Sequence, residues 1–147
     1  MPKLLLAEDN DFSRDLLTKR LENAGYHIIP VANGKEAVLA ARQFQPDLIL
    51  MDLEMPIMDG RAAIRVLKTD PQTFRIPIIV VTAHTAPENV ADAVSAGCQA
   101  FETKPVILRQ LLELISETLL PANGPKPLPA DGGSETAANG AAAVGER

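Results

Sequence analysis

The sequence is poor in aromatic residues and in cysteine. Its 147 residues include one tyrosine, four phenylalanines, no tryptophan and a single cysteine, Cys98. One cysteine cannot form an internal disulfide, so a reducing compartment, the cytoplasm, is the expected location. The small residues beside Cys98 predict a core position rather than a reactive thiol. So few aromatic side chains also leave little material for stacking on nucleic-acid bases.

Positive charge and long apolar segments are scarce as well. The net charge is −5 and the isoelectric point is near 5.0, and no Lys/Arg cluster offsets this, so nucleic acid is not an expected partner. No apolar segment approaches the roughly 18 residues that a membrane-spanning helix needs. The apolar start of the chain reaches Glu8 and Asp9 too early for a secretory signal. We therefore expect no membrane partner.

What the chain does have is a regular alternation of short apolar segments and amphipathic ones. This alternation is typical of an α/β fold, in which helices cover both faces of a parallel sheet. The predicted strands are Lys3–Ala7, Tyr26–Val31, Leu48–Met51, Ile78–Val81 and Ala100–Thr103. The predicted helices lie near Phe12–Ala24, Gly34–Gln43, Gly60–Thr69, Pro87–Ala96 and Ile107–Leu119.

Local signals refine this fold. Gly25 and Gly97 stand where helices are expected to end in a left-handed residue, and Asn33 with Glu36 resembles a capping box. Pro30 interrupts the second strand, and proline is tolerated only at a sheet edge or a strand end. We therefore predict a doubly wound, flavodoxin-like sheet of five parallel strands in the order 2-1-3-4-5, with five helices.

One domain is expected over residues 1–120, with a tail over residues 121–147. The tail is rich in Pro, Gly and Ala, and its only large aliphatic residues are Leu128 and Val144. Such a segment buries too little apolar surface to offset the entropy lost on ordering, so we predict that it is disordered. No second globular domain is expected.

Polar residues follow four of the predicted strands. Ligand sites in doubly wound sheets lie beyond the carboxyl ends of the strands, so these side chains are expected to converge. Crowded carboxylates repel unless a cation lies between them, and oxygen ligands with open positions suit Mg²⁺. A lysine and a hydroxyl at the same edge fit a phosphoryl group, and an aspartate can act as its nucleophile. The residues are Glu8, Asp9, Asp52, Thr82 and Lys104.

Each of these residues also has a purely structural interpretation. Glu8 and Asp9 could supply favourable acids at a helix N-terminus, and Asp52 could be a cap. Thr82 alone could be a strand-end residue and Lys104 a surface charge. Their joint occurrence at one edge of the sheet favours the functional interpretation.

Residues 2 to 120 resemble the receiver domain of two-component response regulators, most closely the single-domain, chemotaxis type. Any one of the matching motifs is weak evidence, but together, in this order and at strand ends, they are specific. The motifs are Leu6–Asn10, Met51–Gly60, Val81–Ala83 and Thr103–Pro105.

The resemblance implies a role for each matching residue of the metal and phosphoryl site. Asp52 corresponds to the phosphoacceptor and Lys104 to the phosphoryl-binding lysine. Asp9 corresponds to a direct Mg²⁺ ligand, Glu8 to an acid that acts on the metal through water, and Glu54 to a residue that offers its backbone carbonyl.

Further positions correspond to the switch and to the surroundings of the phosphoryl group. Thr82 matches the switch hydroxyl and Phe101 the switch aromatic residue. The side chains of Glu54 and His84 are expected beside the phosphoryl group, where they govern access. The resemblance also implies a cis peptide bond before Pro105.

The implied function is phosphorelay signalling rather than turnover of a substrate. The chain is expected to accept a phosphoryl group from the phosphohistidine of a histidine kinase or a histidine phosphotransfer protein. The resemblance implies that it promotes only its own phosphorylation and slow dephosphorylation. Output is expected through a partner protein or a homodimer, on the face of the fourth helix, fifth strand and fifth helix, where Ile107 and Leu114 lie outside the core stripe.

Two alternatives share part of this pattern. A haloacid-dehalogenase-type phosphohydrolase also uses an aspartate, a Thr or Ser, a lysine and Mg²⁺, but its D-x-D motif follows the first strand. A receiver that binds partners without phosphorylation usually lacks one of the acids, the threonine or the lysine, and this sequence has all of them.

Overall fold

A computed structural model describes residues 1–83 and 85–120, together with the backbone of residues 139–140 and 143–144. Its strands are β1 Lys3–Ala7, β2 His27–Val31, β3 Leu48–Met51, β4 Ile78–Thr82, β5 Ala100–Thr103, β6 Asn139–Gly140 and β7 Ala143–Val144. Its helices are α1 Asp11–Asn23, α2 Gly34–Phe44, α3 Gly60–Thr69, α4 Pro87–Ala96 and α5 Leu108–Leu119.

The first five strands form one parallel sheet in the order β2-β1-β3-β4-β5, as predicted. Pro30 lies in β2, an edge strand. The predicted tail lies outside the described residues except for the short strands β6 and β7, which pair with each other.

Side chains of successive strand residues point to opposite faces of the sheet, and this alternation divides the core in two. In β3, Ile49 and Met51 pack into a cluster with α2, α3 and α4, whereas Leu48 and Leu50 pack into a cluster with α1 and α5. All residues of β3 and β4 are buried. The apolar strands are therefore explained by a sheet with both faces covered.

Several helix ends follow the predicted signals. Gly97 ends α4 with φ 115°, a left-handed conformation in which a residue with a Cβ is strained. Asn33 caps α2, and its side chain accepts a hydrogen bond from the Glu36 amide at 2.9 Å. The second bond of the capping box differs from the prediction, because the Glu36 carboxylate accepts from the Ala32 amide instead of from Asn33.

The boundaries of α1, α2, α5, β2 and β4 differ from the predicted ones by one residue. α1 begins at Asp11 because Asn10 caps it, accepting a bond from the Ser13 amide at 2.8 Å. β2 begins at His27 because the Tyr26 amide donates to the Leu21 carbonyl and so belongs to the end of α1.

The prediction that Leu114 lies outside the core is wrong. Leu114 is partly buried and packs against the same cluster as Leu111 and Ile115 of α5. It lies three residues after Leu111 and next to Ile115, so the buried face of the helix is wide enough to include it. Ile107 remains half exposed, as predicted, and it precedes α5 without a side-chain cap.

Candidate functional site

The carboxyl ends of β1, β3, β4 and β5 bring the predicted polar residues to one edge of the sheet. Strand pairing sets their relative positions: the Asp52 amide donates to the Ala7 carbonyl at 3.1 Å, and the Lys104 amide donates to the Thr82 carbonyl at 3.0 Å. Register along neighbouring parallel strands therefore places these residues at one end of the sheet.

Three carboxylates meet there. One oxygen from each of Glu8, Asp9 and Asp52 lies within 4.8 Å of the other two. Glu8 and Asp52 are buried, with relative exposures of 5% and 7%, whereas Asp9 is exposed. Buried carboxylates this close repel one another, so the cluster requires a compensating positive charge.

Lys104 supplies that charge within the protein. Its Nζ donates to Asp52 Oδ2 at 2.9 Å and also contacts Glu8 Oε1. Burial by itself lowers the pKa of Lys104, but the hydrogen bonds and charges of Glu8 and Asp52 outweigh it and raise the pKa. The ammonium group therefore stays charged. The Lys104–Pro105 peptide bond is cis, as the resemblance implies.

Backbone amides hold the other carboxylate oxygens. Asp52 Oδ1 accepts from the Glu54 amide at 3.3 Å, and Glu8 Oε2 accepts from the Asn10 amide at 3.1 Å. Both carboxylates are thus oriented from two sides, which limits their rotation. Such preorganisation favours a site whose charges are already in position when a ligand arrives.

The loop between β3 and α3 folds back tightly against the strand end. A Cβ on Gly60 would lie 2.1 Å from the Asp52 carbonyl oxygen, so only glycine fits there. Within the loop, Ile57 has φ 70°, an uncommon conformation for a β-branched residue, and its side chain is exposed. The Met58 carbonyl accepts from the Gly34 amide at 2.9 Å, which ties the loop to α2.

The predicted switch residues lie on β4, which pairs with β3, and on β5, the edge strand beyond it. Thr82 is fully buried at the end of β4. Phe101, in β5, is half buried and packs against the cluster that includes α4. Phe101 therefore packs on the face of the sheet that α2, α3 and α4 cover. His84 lies outside the described residues.

The donor set fits Mg²⁺. Three carboxylates with oxygens in mutual reach offer hard ligands, and Asp9 is open to solvent, so water can complete the shell. The ammonium group of Lys104 already places one positive charge between Glu8 and Asp52. An acidic cluster alone is not a metal site, but its location at the strand ends is what a metal-dependent phosphoryl site requires.

A family model described as the response regulator receiver domain matches residues 4–116. The chain belongs to the response regulator receiver family. It is similar to the polar-differentiation response regulator DivK of Brucella anthropi, with 36% identity over 120 residues that cover 81% of this chain and 98% of that protein. DivK of Brucella ovis is 34% identical over 79% of this chain and 94% of its own length.

Solved receiver domains have the same fold. The signal receiver domain of a histidine kinase from Syntrophus aciditrophicus superposes with a TM-score of 0.76 at 35% identity, covering 81% of this chain and 90% of that one. The receiver domain of a sensor histidine kinase from Pseudomonas aeruginosa gives 0.76 at 30% identity over 80% and 97% of the two chains. That protein has a magnesium ion coordinated in its active site cleft.

This membership makes the chain a phosphorelay signalling protein and favours the receiver over the phosphohydrolase alternative. The acidic pair follows β1 and Asp52 follows β3, as in the receiver pattern. In the part of the chain that the structure describes, no helix is long and apolar enough to cross a membrane.

Two arginines near the site were not predicted from the sequence. Arg14 Nη1 donates to the Glu8 carbonyl at 2.9 Å. Arg61, in the first turn of α3, contacts Glu54 of the loop and Asn89 of α4. A cation in the first turn of a helix opposes the helix dipole, and this is the signal that could have marked Arg61 as a residue with specific acidic partners.

Proposed function

We propose that the chain accepts a phosphoryl group on Asp52 from the phosphohistidine of a histidine kinase or a histidine phosphotransfer protein. The contact of Lys104 with Asp52 and Glu8 carries this proposal, because it joins a buried aspartate, a second buried acid and a charged lysine in one arrangement. In the transfer, one Asp52 oxygen forms a bond to phosphorus while the phosphorus–nitrogen bond to the donor imidazole breaks. The bonding electron pair stays on the departing imidazole nitrogen, which takes a proton from water so that the donor ring leaves neutral.

The neighbouring groups have distinct tasks in that step. Lys104 neutralises charge that develops on the transferred oxygens. Glu8 and Asp9 would hold Mg²⁺ together with Asp52, and the Glu54 carbonyl would complete the protein ligands. When bound, the ion supplies positive charge to the phosphoryl oxygens. The chain acts as a phosphoacceptor that promotes its own phosphorylation and slow dephosphorylation, in the cytoplasm.

The proposed switch involves Thr82 and Phe101. The Thr82 hydroxyl would bond to a phosphoryl oxygen, and Phe101 would turn towards the space that Thr82 vacates. His84 and the Glu54 side chain would govern the access of water and donors. A phosphoryl group shifts the equilibrium between two conformations only as far as it interacts differently with each.

Output would use the face of α4, β5 and α5, towards a partner protein or a second copy of the chain. Val94 of α4 is 59% exposed and Ile107, just before α5, is 51% exposed. Single exposed aliphatic residues are ordinary, so the proposal depends also on the packing of Phe101 against the cluster that includes Ala93 and Ala96 of α4. The double substitution Val94→Asn and Ile107→Asn is expected to leave phosphorylation intact and to reduce self-association or partner binding. Unchanged association would place the output surface elsewhere.

The test of the proposed function is phosphorylation by acetyl phosphate with Mg²⁺, followed by intact-protein mass spectrometry. The parent is expected to gain one phosphoryl group and Asp52→Asn none, because an amide is not a nucleophile for this step. Asp59→Asn is the matched control, since it makes the same change in the same loop and asparagine caps α3 as well as aspartate does. Equal labelling of Asp52→Asn and the parent would contradict the proposal.

A further inference from the structure

Arg61 lies in the first turn of α3 with its side chain only 16% exposed. Its Nη2 donates to the Asn89 side-chain oxygen of α4 at 2.6 Å and lies 3.4 Å from Glu54 Oε2. Two further carboxylates, those of Asp59 and Asp92, are 3.8 and 3.9 Å away. One guanidinium therefore faces three carboxylates, two from the loop before α3 and one from α4.

The short bond to Asn89 fixes the guanidinium against α4, whereas the contacts to the carboxylates are longer. Arg61 Nε is buried without a hydrogen-bond partner. The Glu54 side chain is half exposed and can rotate, so its contact with the fixed guanidinium determines the position of its carboxylate. The Glu54 side chain is thus directed towards α4 rather than free to rotate beside Asp52.

This arrangement matters because Glu54 is two residues from Asp52, on a loop beside the acidic cluster. Phosphodonors are anions, and every uncompensated carboxylate near the site opposes their approach. The same carboxylate attracts a divalent cation. Compensation of the Glu54 charge therefore favours the approach of the anionic donor and weakens the attraction of Mg²⁺.

We propose that Arg61 is a positioning residue for phosphoryl transfer, which holds the Glu54 carboxylate towards α4 and offsets its charge so that an anionic phosphodonor can reach Asp52. This inference rests on the proposed function of Asp52. It assigns to Arg61 no contact with the phosphoryl group, since Arg61 acts through Glu54.

The test uses Arg61→Met in the full chain, with phosphorylation by acetyl phosphate and Mg²⁺ binding measured separately. Loss of the guanidinium is expected to slow phosphorylation at saturating Mg²⁺ by about threefold and to tighten Mg²⁺ binding by about threefold, the size typical of a partly exposed ion pair. Mg²⁺ affinity is measured by calorimetry, because the chain has no tryptophan to report binding. A purely structural role would weaken both properties together.

The same substitution in a Glu54→Gln background decides whether Arg61 acts through Glu54. There the two effects of Arg61→Met are expected to be much smaller, because Glu54, the carboxylate nearest the guanidinium, is neutral and only the more distant Asp59 and Asp92 remain. Arg65→Met, an exposed arginine on the same helix, is the control for loss of one positive charge and is expected to change neither property. Equal effects of Arg61→Met in both backgrounds, or weaker Mg²⁺ binding by Arg61→Met, would overturn the proposal.

The two proposals can fail separately. If the parent takes up no phosphoryl group, the proposed function of Asp52 fails. The Mg²⁺ titrations still report whether Arg61 compensates Glu54. If the parent is phosphorylated on Asp52 and Arg61→Met has the same rate and Mg²⁺ affinity as the parent, only the role of Arg61 fails.

Discussion

Lys104 and Lys68 are both partly buried lysines, yet their surroundings shift the pKa values in opposite directions. Lys104 faces two carboxylates, and its pKa is raised. Lys68 donates to the backbone carbonyls of Phe74 and Ile76 at 3.1 and 2.8 Å. Burial lowers the pKa of Lys68 to about 8, with a smaller opposing effect from Cys98. Burial of a lysine therefore does not by itself identify a functional site.

The two lysines differ in which groups would lose a partner if the ammonium group were removed. Lys68 connects α3 to the segment that precedes β4, and its stem packs so closely against Gly97 that a Cβ there would lie 2.9 Å from Lys68 Cγ. Its removal leaves two carbonyls without this donor. Removal of Lys104 leaves two buried carboxylates and an uncompensated negative charge. Lys68 connects two segments of the backbone, whereas Lys104 balances the negative charge of two buried carboxylates.

The largest expected effect separates the two lysines by phosphorylation rate. Lys104→Met is expected to slow phosphorylation of the chain by acetyl phosphate by about 100-fold or more, because a fixed positive group at the developing charge is lost. Lys68→Met is expected to change the rate by less than about twofold, as for a distant, independent site. Quantitative mass spectrometry over time measures both. A similar loss in the two variants would remove the distinction between the two sites.

The second prediction concerns the carboxylates opposite Lys104. Asp9→Asn is expected to weaken Mg²⁺ binding about tenfold, since one of three charged ligands is lost. It is also expected to raise the free energy of unfolding without metal slightly, because repulsion within the cluster falls. Asp15→Asn, which changes an exposed acid on α1, serves as the control in calorimetry and urea unfolding. Equal Mg²⁺ affinity in Asp9→Asn and the parent would show that the ligand set is wrong.

The smallest predicted effect is a pH dependence that belongs to Lys68. Because its pKa is about 8 in the folded chain and its ordinary value is 10.5, the unfolded state binds more protons between these values. The contribution of Lys68 to the free energy of unfolding therefore rises with pH from about 8 to 10.5. The Cys98 thiol opposes this effect above pH 9.0, because burial raises its pKa from 9.0 to about 11 and the unfolded thiol loses its proton first.

The measurement is the difference in free energy of unfolding between the parent and Lys68→Met across that window. Cys98 is present in both proteins, so its contribution largely cancels in the difference. The difference is expected to shift in favour of the parent as the pH rises. A constant difference, or one that shifts towards Lys68→Met, would contradict the assignment of the lowered pKa to Lys68.

The contrast between Lys104 and Lys68 also explains which features of the structure the sequence could predict. The order of the strands and the convergence of Glu8, Asp52 and Lys104 follow from features that are periodic or that stand at strand ends, both of which are visible in one dimension. The raised pKa of Cys98 agrees with the prediction of an unreactive core residue.

The remaining features depend on contacts between distant segments. The link of Arg61 to Asn89 crosses from α3 to α4, and no spacing in the sequence indicates it. The burial of Leu114 depends on the width of the covered face of α5, which a single stripe underestimates. Lys68 has no sequence signal that distinguishes it from a surface lysine, because its partners are backbone carbonyls.

The central claim, that Asp52 is the phosphoacceptor, is tested most directly by chemical location of the phosphoryl group. Reduction of the phosphorylated chain with borohydride converts an aspartyl phosphate to homoserine, which peptide mass spectrometry locates. We expect homoserine at position 52 and aspartate at positions 9 and 59. Homoserine at either of those positions, with aspartate intact at 52, would contradict the account.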